Sequence, residues 1–120
     1  MGDRVGDMED YCMVEAAMEV VGGKWKLAIL RHLFDGTCRF GELNRAMPAI
    51  TPRMLTRQLR ELEADGLVRR VVYPEVPPKV EYSLTYLGES LRPIALRLEE
   101  WGHWYRERRG LGGEPVTPRS

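Results

Sequence analysis

The fold of this 120-residue chain is decided by residues 51–66, which read TPRMLTRQLRELEADG. Thr51 can cap the N-terminus of a helix, Pro52 suits the first helical position, and Asp65-Gly66 is a typical helix stop. The leucines between these signals recur at helical spacing and share one face, at Leu55, Leu59 and Leu62. The segment therefore predicts an amphipathic helix with well-defined ends.

The opposite face of this predicted helix is basic. At about 100° per residue, three arginines lie roughly 140° to 200° away from Leu55, namely Arg53, Arg57 and Arg60. Thr56 borders this stripe. A helix of this width fits the DNA major groove, where arginine side chains bind guanine edges or phosphates. The alternative for one isolated helix is an ordinary solvated face.

The patterns on both sides of this helix predict the rest of the domain. Three further helices precede it, over residues 12–21, 24–34 and about 40–47. Two strands follow it, over residues 67–73 and 79–84. The segment between the strands, 74–78, contains three prolines and forms a protruding tip. A last helix begins at Thr85 and continues to about Tyr105, with a kink at Pro93. This order predicts an α+β, mainly α, fold of the winged helix-turn-helix type.

The net charge of the chain is zero, because 18 Lys and Arg residues balance 18 Asp and Glu residues. Taken alone, this balance argues against a nucleic-acid partner, which usually binds a basic surface. The charge is unevenly distributed, however: it is −5 over residues 1–23, +6 over residues 24–60 and −1 over residues 61–120. The basic segment contains the arginine stripe, so one face of a neutral protein can still attract double-stranded DNA.

Seven residues are candidate DNA contacts. Five belong to the arginine-bearing helix, at Thr51, Arg53, Thr56, Arg57 and Arg60, and two lie elsewhere, at Lys79 and Arg39. Thr51 and Arg53 stand at the N-terminal end, which usually reaches base edges, and Arg57 can also read a base. Arg60 is better placed for a phosphate. Lys79, at the tip of the hairpin, is the best candidate for a wing contact to the minor groove or to phosphates.

Two basic residues have competing interpretations. Arg39, just before the third helix, suits a phosphate contact and a solvated helix cap equally well. Arg70, in the strand that leads to the tip, either supports the wing or pairs with Glu81 across the hairpin.

Apolar residues of the last helix follow a heptad pattern. They are Leu87, Leu91, Ile94, Leu98, Trp101 and Tyr105. Together with Val14 and Met18 on the first helix, they supply more apolar surface than one small core needs. They therefore predict a homodimer built from the first and last helices, with intramolecular packing as the alternative. Two recognition helices would then address a pseudo-palindromic operator.

The sequence contains no pattern typical of an enzyme. A Ser-His-Asp arrangement, a phosphate-binding loop and a metal cluster are all lacking, so no catalytic residue, metal or cofactor is expected. The apolar runs are too short to cross a bilayer and no signal peptide is recognised, so we expect a cytoplasmic protein. Two other functions stay open: a winged helix for protein contacts, and a small-molecule sensor. The residues that could line the sensor's pocket are Met18, Trp25, Met54 and Trp101.

Five motifs in a fixed order carry a family resemblance. They are GGKW (22–25), RFGEL (39–43), RMLT (53–56), LRELEADGL (59–67) and YPEVPPKVEYSLT (73–85). On these motifs the chain resembles the HxlR-type family of bacterial winged-helix transcriptional regulators, relatives of the MarR group. The resemblance implies a dimeric DNA-binding regulator, often a repressor and sometimes an activator. The predicted domain covers residues 11–106, and the polar ends of the chain, rich in glycine and proline, predict a flexible arm over 1–10 and a flexible tail over 107–120.

Many members of this family carry a cysteine just before the first helix, the place of Cys12, and in oxidant-sensing members it is the switch. A helix N-terminus makes a thiol more reactive, whereas the nearby acids Glu9, Asp10 and Glu15 oppose a thiolate. Cys12 is therefore either a redox switch or a packing cysteine. Cys38 departs from the family pattern, and it can resolve an oxidised Cys12 only if the geometry allows.

Overall fold

The computed structural model describes residues 12–110, which form two compact units that divide between Ser90 and Leu91. The helices of the first unit are α1 (Met13–Val21), α2 (Lys26–Leu33), α3 (Phe40–Ala46), α4 (Pro52–Ala64) and α5 (Tyr86–Glu89). Its strands are β1 (Cys38–Arg39), β2 (Val68–Tyr73) and β3 (Lys79–Leu84). The second unit contains α6 (Arg92–Arg108). The arm expected over residues 1–10, and residues 111–120 of the expected tail, lie outside the described residues.

Helix α4 begins and ends where the sequence predicts. The Thr51 hydroxyl accepts a hydrogen bond from the Met54 N–H at 3.1 Å, and Pro52 takes the first helical position. Beyond the last residue of α4, Gly66 has a φ of 80°, which glycine adopts easily because it has no Cβ. Both signals act within a few residues, so they can be recognised without the tertiary structure.

Six side chains with almost no exposure form the centre of the first unit. They are Ile29 and Leu30 of α2, Leu43 of α3, and Leu55, Leu59 and Leu62 of α4. The leucine face predicted for α4 is therefore confirmed. Full burial of one such side chain is worth about 1.5–3 kcal/mol, so this packing fixes which face of α4 remains outside.

Three antiparallel strands form a small sheet in the order β1-β3-β2. The hairpin of β2 and β3 is the predicted wing. The sequence does not predict β1, because a strand of two residues is too short to show a periodicity. Strand β1 is defined by its backbone pairing with β3, in which Cys38 lies opposite Tyr82 and Arg39 lies opposite Glu81.

The C-terminal part of the chain differs from the prediction. The single kinked helix is wrong, because the chain forms the short α5 and then the separate helix α6. Pro93 lies in the first turn of α6. A proline has no N–H to donate and its ring clashes with the carbonyl four residues earlier, so a new helix start accommodates it better than a helix interior does. Leu87 consequently lies on α5, apart from the heptad residues of α6. None of the described helices is long and apolar enough to cross a membrane.

Candidate nucleic-acid interface

The arginine-bearing face of α4 is open to solvent. Arg53, Arg57 and Arg60 are all exposed, and they line an open groove of about 540 Å³ together with Thr56 and Glu61. The leucines on the other side of the helix are buried. Because the core determines how α4 is rotated about its axis, it also directs the arginine face outward.

The hydroxyls of Thr51, the N-cap of α4, and of Thr56 within α4 each make one hydrogen bond inside the protein. Thr51 Oγ1 accepts from the Met54 N–H, so its hydroxyl proton remains available for an acceptor outside the protein. Thr56 Oγ1 donates to the Pro52 carbonyl at 2.9 Å, so its oxygen remains available as an acceptor. Against DNA, Thr51 is therefore suited to a phosphate oxygen or a base acceptor, and Thr56 is suited to a base amino group.

A carboxylate connects the arginine face of α4 to helix α2. Glu61 Oε1 lies 2.9 Å from Lys26 Nζ, and Glu61 Oε2 lies 3.4 Å from Arg57 Nε. The Lys26 side chain is only 9% exposed, whereas that of Arg57 is 71% exposed. The hydrogen bond from Lys26 is the main reason why the pKa of Glu61 is lower than usual, and Arg57 lowers it further. Glu61 is therefore ionised at neutral pH.

Lys26 is the residue of this network that the sequence reasoning missed. A signal for it exists, because Lys26 is spaced at helical intervals from the buried residues Ile29, Leu30 and Leu33 and so shares their stripe on α2. A lysine inside an apolar stripe needs a counter-charge to offset the cost of burial. That counter-charge lies on another helix, and the spacing within α2 gives no indication of it.

A second, smaller recess of about 270 Å³ lies beside α4. Its lining consists of polar and aromatic side chains, namely Thr56, Arg60, Glu63, Arg70 and Tyr82. Arg70 lies opposite Tyr82 in the hairpin. Glu81 lies opposite Val71, and consecutive strand residues point to opposite faces of a sheet. The pairing of Arg70 with Glu81 is therefore wrong, and Arg70 instead shares the recess with Arg60.

Lys79 is the first residue of β3, so it lies below the tip of the hairpin. Its Nζ lies 3.5 Å from Glu81 Oε2 and 4.9 Å from the centre of the Tyr73 ring. Glu81 also accepts a hydrogen bond from the Tyr73 hydroxyl, which raises the pKa of that phenol. The charge of Lys79 is thus partly offset by Glu81, and its side chain is 29% exposed.

Arg39 lies at the junction of β1 and α3, and its side chain is exposed. Its backbone N–H donates to Glu42 Oε1 at 2.7 Å, which satisfies one of the N–H groups at the start of α3. The backbone of Arg39 therefore has the capping role, while its guanidinium group faces solvent.

The two cysteines have different surroundings. Cys12 immediately precedes α1 and is exposed, and its backbone N–H donates to Glu15 Oε1 at 3.3 Å. Cys38 is half-buried in β1, and burial raises the pKa of its thiol, with further contributions from Glu42 and Asp35. A raised pKa lowers the thiolate fraction, so Cys38 is less reactive than an ordinary thiol.

The apolar side chains expected at a dimer interface are exposed on the first and last helices. On α1, Val14 is 69% exposed and Met18 is 51% exposed. On α6, four seam residues are between 42% and 53% exposed, namely Ile94, Leu98, Trp101 and Tyr105. The ring of Trp101 stacks on that of Tyr105, with centres 4.9 Å apart. Leu91, which directly precedes α6, is half-buried.

The fold and the exposed arginines of α4 together define the class of the protein, which is a winged helix-turn-helix transcriptional regulator. Residues 20–110 match the model of a family described as HxlR-like helix-turn-helix. The chain belongs to this family, whose members are transcriptional regulators and not enzymes.

Similar proteins are regulators of the same kind. An uncharacterised HTH-type transcriptional regulator of Methanothermobacter thermautotrophicus is 55% identical over 113 residues, which cover 94% of this chain and 86% of that protein. The uncharacterised HTH-type transcriptional regulator YybR of Bacillus subtilis is 57% identical over 99 residues, or 82% of this chain and 79% of that protein. Among solved structures, the redox regulator HypR in its reduced form is 56% identical, with a TM-score of 0.77 over 80% of this chain and 95% of that chain. Its oxidised form is 59% identical, with a TM-score of 0.74 over 77% of this chain and 95% of that chain.

Proposed function

We propose that this regulator binds DNA as a homodimer and represses transcription, with helix α4 of each subunit in a major groove. The observation that carries the proposal is the row of exposed arginines on α4, opposite a fully buried leucine face. Recognition helices read base edges with side chains near the N-terminal end and contact phosphates with others. A winged helix that binds only proteins has no need of such a row.

The side chains of α4 divide into base-reading and phosphate-binding groups according to their position. Thr51 and Arg53 are at the N-terminal end and contact base edges, and Arg57 reads a guanine with its guanidinium group. Thr56 accepts from a base amino group beside them. Arg60 contacts a phosphate, since it lies further along the helix.

Three basic residues outside α4 complete the proposed contact surface. Arg70 lines the same recess as Arg60, so these two guanidinium groups bind one phosphate. Lys79 contacts the DNA backbone from the wing, with a charge that Glu81 partly offsets. Arg39 contacts a phosphate through its exposed side chain.

The proposed dimer forms through the apolar residues exposed on α1 and α6. Those on α1 are Val14 and Met18, and those at and on α6 are Leu91, Ile94, Leu98, Trp101 and Tyr105. Apolar stripes of this length are rarely left exposed on a soluble subunit, because burying them against a second copy is favourable. A two-fold dimer places two copies of α4 on a pseudo-palindromic operator.

Repression follows from occupancy of a promoter, because a dimer bound across an operator excludes the transcription machinery from the same DNA. A regulator of chromosomal genes acts where the DNA lies, so we place the protein in the cytoplasm of a prokaryotic cell.

A nuclease footprint on the DNA upstream of its own gene tests DNA binding. We expect a protected site with two half-sites that are separated by one helical turn, about 10 base pairs, or a multiple of it.

Arg57→Ala should weaken operator binding by about 1–3 kcal/mol, since one base contact is lost. The control is Arg97→Ala, which removes an arginine that is 84% exposed on α6. Operator affinity that is unchanged in both Arg53→Ala and Arg57→Ala contradicts the proposed orientation of α4.

We also propose that Cys12 makes the regulator responsive to oxidants. Cys12 is exposed at the start of α1, next to the proposed dimer surface, and HypR, a redox regulator, is 59% identical to this chain. In the proposed reaction, two Cys12 thiols of a dimer lose two protons and two electrons to an oxidant such as diamide and form an intersubunit disulfide. Cys38 takes no part, because the raised pKa of its thiol disfavours the thiolate.

The two cysteine variants separate these roles. In an operator titration with and without diamide, Cys38→Ser should respond to the oxidant as the unmodified protein does, whereas Cys12→Ser should not respond. A Cys12→Ser protein that still responds to diamide shows that another group is the sensor.

A further inference from the structure

We propose that Glu61 is a positioning residue for base recognition: anchored by Lys26, it fixes the Arg57 guanidinium so that its two terminal nitrogens face a guanine. This inference rests on the proposed function, because it assigns a role to a residue next to the proposed DNA contacts. It identifies the fork of Arg57 and the O6 and N7 acceptors of one guanine as the recognising pair.

The anchoring step depends on the buried lysine. Lys26 Nζ lies 2.9 Å from Glu61 Oε1, and the Lys26 side chain is 9% exposed. Loss of the Glu61 contact would therefore leave a nearly buried ammonium group without this counter-charge, which is costly. The low pKa of Glu61 agrees with this contact, since an ionised carboxylate is favoured beside the ammonium group. The carboxylate thus has a fixed position relative to α2 and not merely to its own helix.

The orientation step depends on which nitrogen of Arg57 is used. Glu61 Oε2 accepts from Nε of Arg57 at 3.4 Å, one helical turn away. Among the described residues, Glu61 is the one that accepts a hydrogen bond from Arg57, and this bond uses neither terminal Nη group of a side chain that is 71% exposed. Those two groups are the fork that binds O6 and N7 of guanine in a bidentate contact.

An exposed ion pair between residues four apart on a helix ordinarily contributes little to stability, because two long side chains must both lose rotamer freedom. Here one of the two is already ordered by Lys26, so Arg57 alone loses freedom. A side chain that is oriented before binding loses less conformational entropy when DNA arrives.

The position of a carboxylate beside DNA also has a cost for binding. Glu61 lines the same groove as Arg53, Arg57 and Arg60, so its negative charge repels phosphates of any sequence. A residue that lowers affinity for all DNA and raises it for one base pair increases the difference between operator and other sequences. Glu61 should therefore contribute to specificity and not to overall affinity.

The test measures base discrimination in the full-length protein. The operator is taken as the duplex recovered from a random-sequence pool by selection with the unmodified protein, and each of its base pairs is then replaced singly. Glu61→Gln should lower discrimination at one base pair by roughly 5- to 150-fold, the range for one bidentate contact. That base pair should be the one at which Arg57→Ala loses its preference.

Three further variants separate positioning from charge and from folding. Glu61→Asp keeps the charge but withdraws the carboxylate by one methylene group, so it should lose the same discrimination without gaining affinity for unrelated DNA. Glu100→Gln makes the same change of charge at a 72% exposed residue of α6 and should leave discrimination unchanged. In an Arg57→Ala background, Glu61→Gln should have no further effect at that base pair.

The outcomes distinguish this inference from the proposed function. If Arg57→Ala changes the preference at one base pair but Glu61→Gln does not, the positioning role of Glu61 is wrong and the proposed function stands. A loss in Glu61→Gln that is spread evenly over all base pairs also overturns it, because it indicates a general effect on charge or folding. If Arg57→Ala leaves every base preference unchanged, the assignment of Arg57 fails and this inference fails with it.

Discussion

At the scale of single residues, several of the proposed DNA contacts are side chains that already make one hydrogen bond inside the protein. Thr51 caps α4 with its oxygen and keeps its proton, and Arg57 binds Glu61 through Nε and keeps its fork. Each internal contact fixes the direction in which the remaining group points. In the proposed complex, these side chains therefore lose less conformational entropy on binding than side chains without an internal contact.

The cap at Thr51 should be measurable as stability. Thr51→Ala removes the acceptor for the Met54 N–H, so we expect the free energy of unfolding in urea to fall by about 1 kcal/mol. Thr51→Ser is the matched control, since it retains the hydroxyl oxygen and should differ by only a few tenths of a kcal/mol. Equal stability of the alanine and serine variants contradicts a capping role.

The Glu61 carboxylate should make stability depend on pH in one direction. Lys26 from α2 and Arg57 from α4 lower the pKa of Glu61 in the folded protein below the usual value of 4.5. As the pH falls, Glu61 therefore takes up a proton at a higher pH in the unfolded chain than in the folded protein. The contribution of Glu61 is fully present well above pH 4.5 and is lost as the pH falls through the lowered pKa. The difference in unfolding free energy between the unmodified protein and Glu61→Gln should therefore shrink on acidification. A difference that grows at low pH is the opposite result and excludes this linkage.

At the scale of secondary-structure elements, α4 combines a leucine face in the core with an arginine face in solvent, and α5 secures its C-terminal end. The Thr85 hydroxyl accepts from the Gly88 N–H and donates to the Gly66 carbonyl, so the cap of α5 also binds the turn that follows α4. Gly88 is buried directly against this turn, where a Cβ atom would overlap the carbonyl oxygen of Leu67.

The close approach at Gly88 predicts a strong effect of one methyl group. Gly88→Ala should lower the free energy of unfolding by about 1–3 kcal/mol, because the backbone of Leu67 must move. Gly102→Ala is the control within α6: a Cβ there meets no atom within 4 Å, so this variant should be stabilised by about 0.5–1 kcal/mol through helix propensity. Chemical unfolding of both variants checks the difference. An unchanged free energy of unfolding for Gly88→Ala contradicts the prediction, because it means that the backbone at Leu67 moves aside without cost.

At the scale of the whole molecule, the excess of basic charge and the exposed apolar side chains lie on different segments of the chain. The basic excess of +6 lies in residues 24–60, which include α4, whereas residues 1–23, which include α1, carry −5. Exposed apolar side chains lie on α1 and α6. This separation agrees with the proposal that one surface of a neutral protein binds DNA and another binds a second copy of the chain.

The proposed dimer surface on α6 can be tested by adding a charge. Leu98→Glu places a carboxylate in the seam, and because burying it is costly we expect a monomer at micromolar concentration in sedimentation experiments. His103→Glu introduces the same residue at an exposed position about 180° from Ile94 on the helix, and it should remain dimeric. A Leu98→Glu protein that stays dimeric shows that the dimer interface does not include Leu98.

Much of the fold around the candidate interface could be predicted because its signals are local. The ends of α4, its leucine and arginine faces and the hairpin all depend on spacings of a few residues. The position of Arg70 beside Arg60 and that of Lys79 over the Tyr73 ring could not be predicted in this way, because they depend on the register of β2 and β3 and on which face of the sheet lies beside α4. The ion pair of Lys79 with Glu81 is different, since residues two apart on one strand share a face. The break before α6 could be predicted only in part, because Pro93 signals an interruption but not whether the helix kinks or ends.

Capping, periodicity and charge are properties of short segments, so the sequence alone is enough to predict a winged helix-turn-helix whose fourth helix has a basic face. The network of Lys26, Glu61 and Arg57, in contrast, depends on how the helices pack together. The lysine and the carboxylate belong to different helices, and neither segment carries a mark of the other. They meet because the leucines of α4 pack against α2, and that packing depends on the whole core.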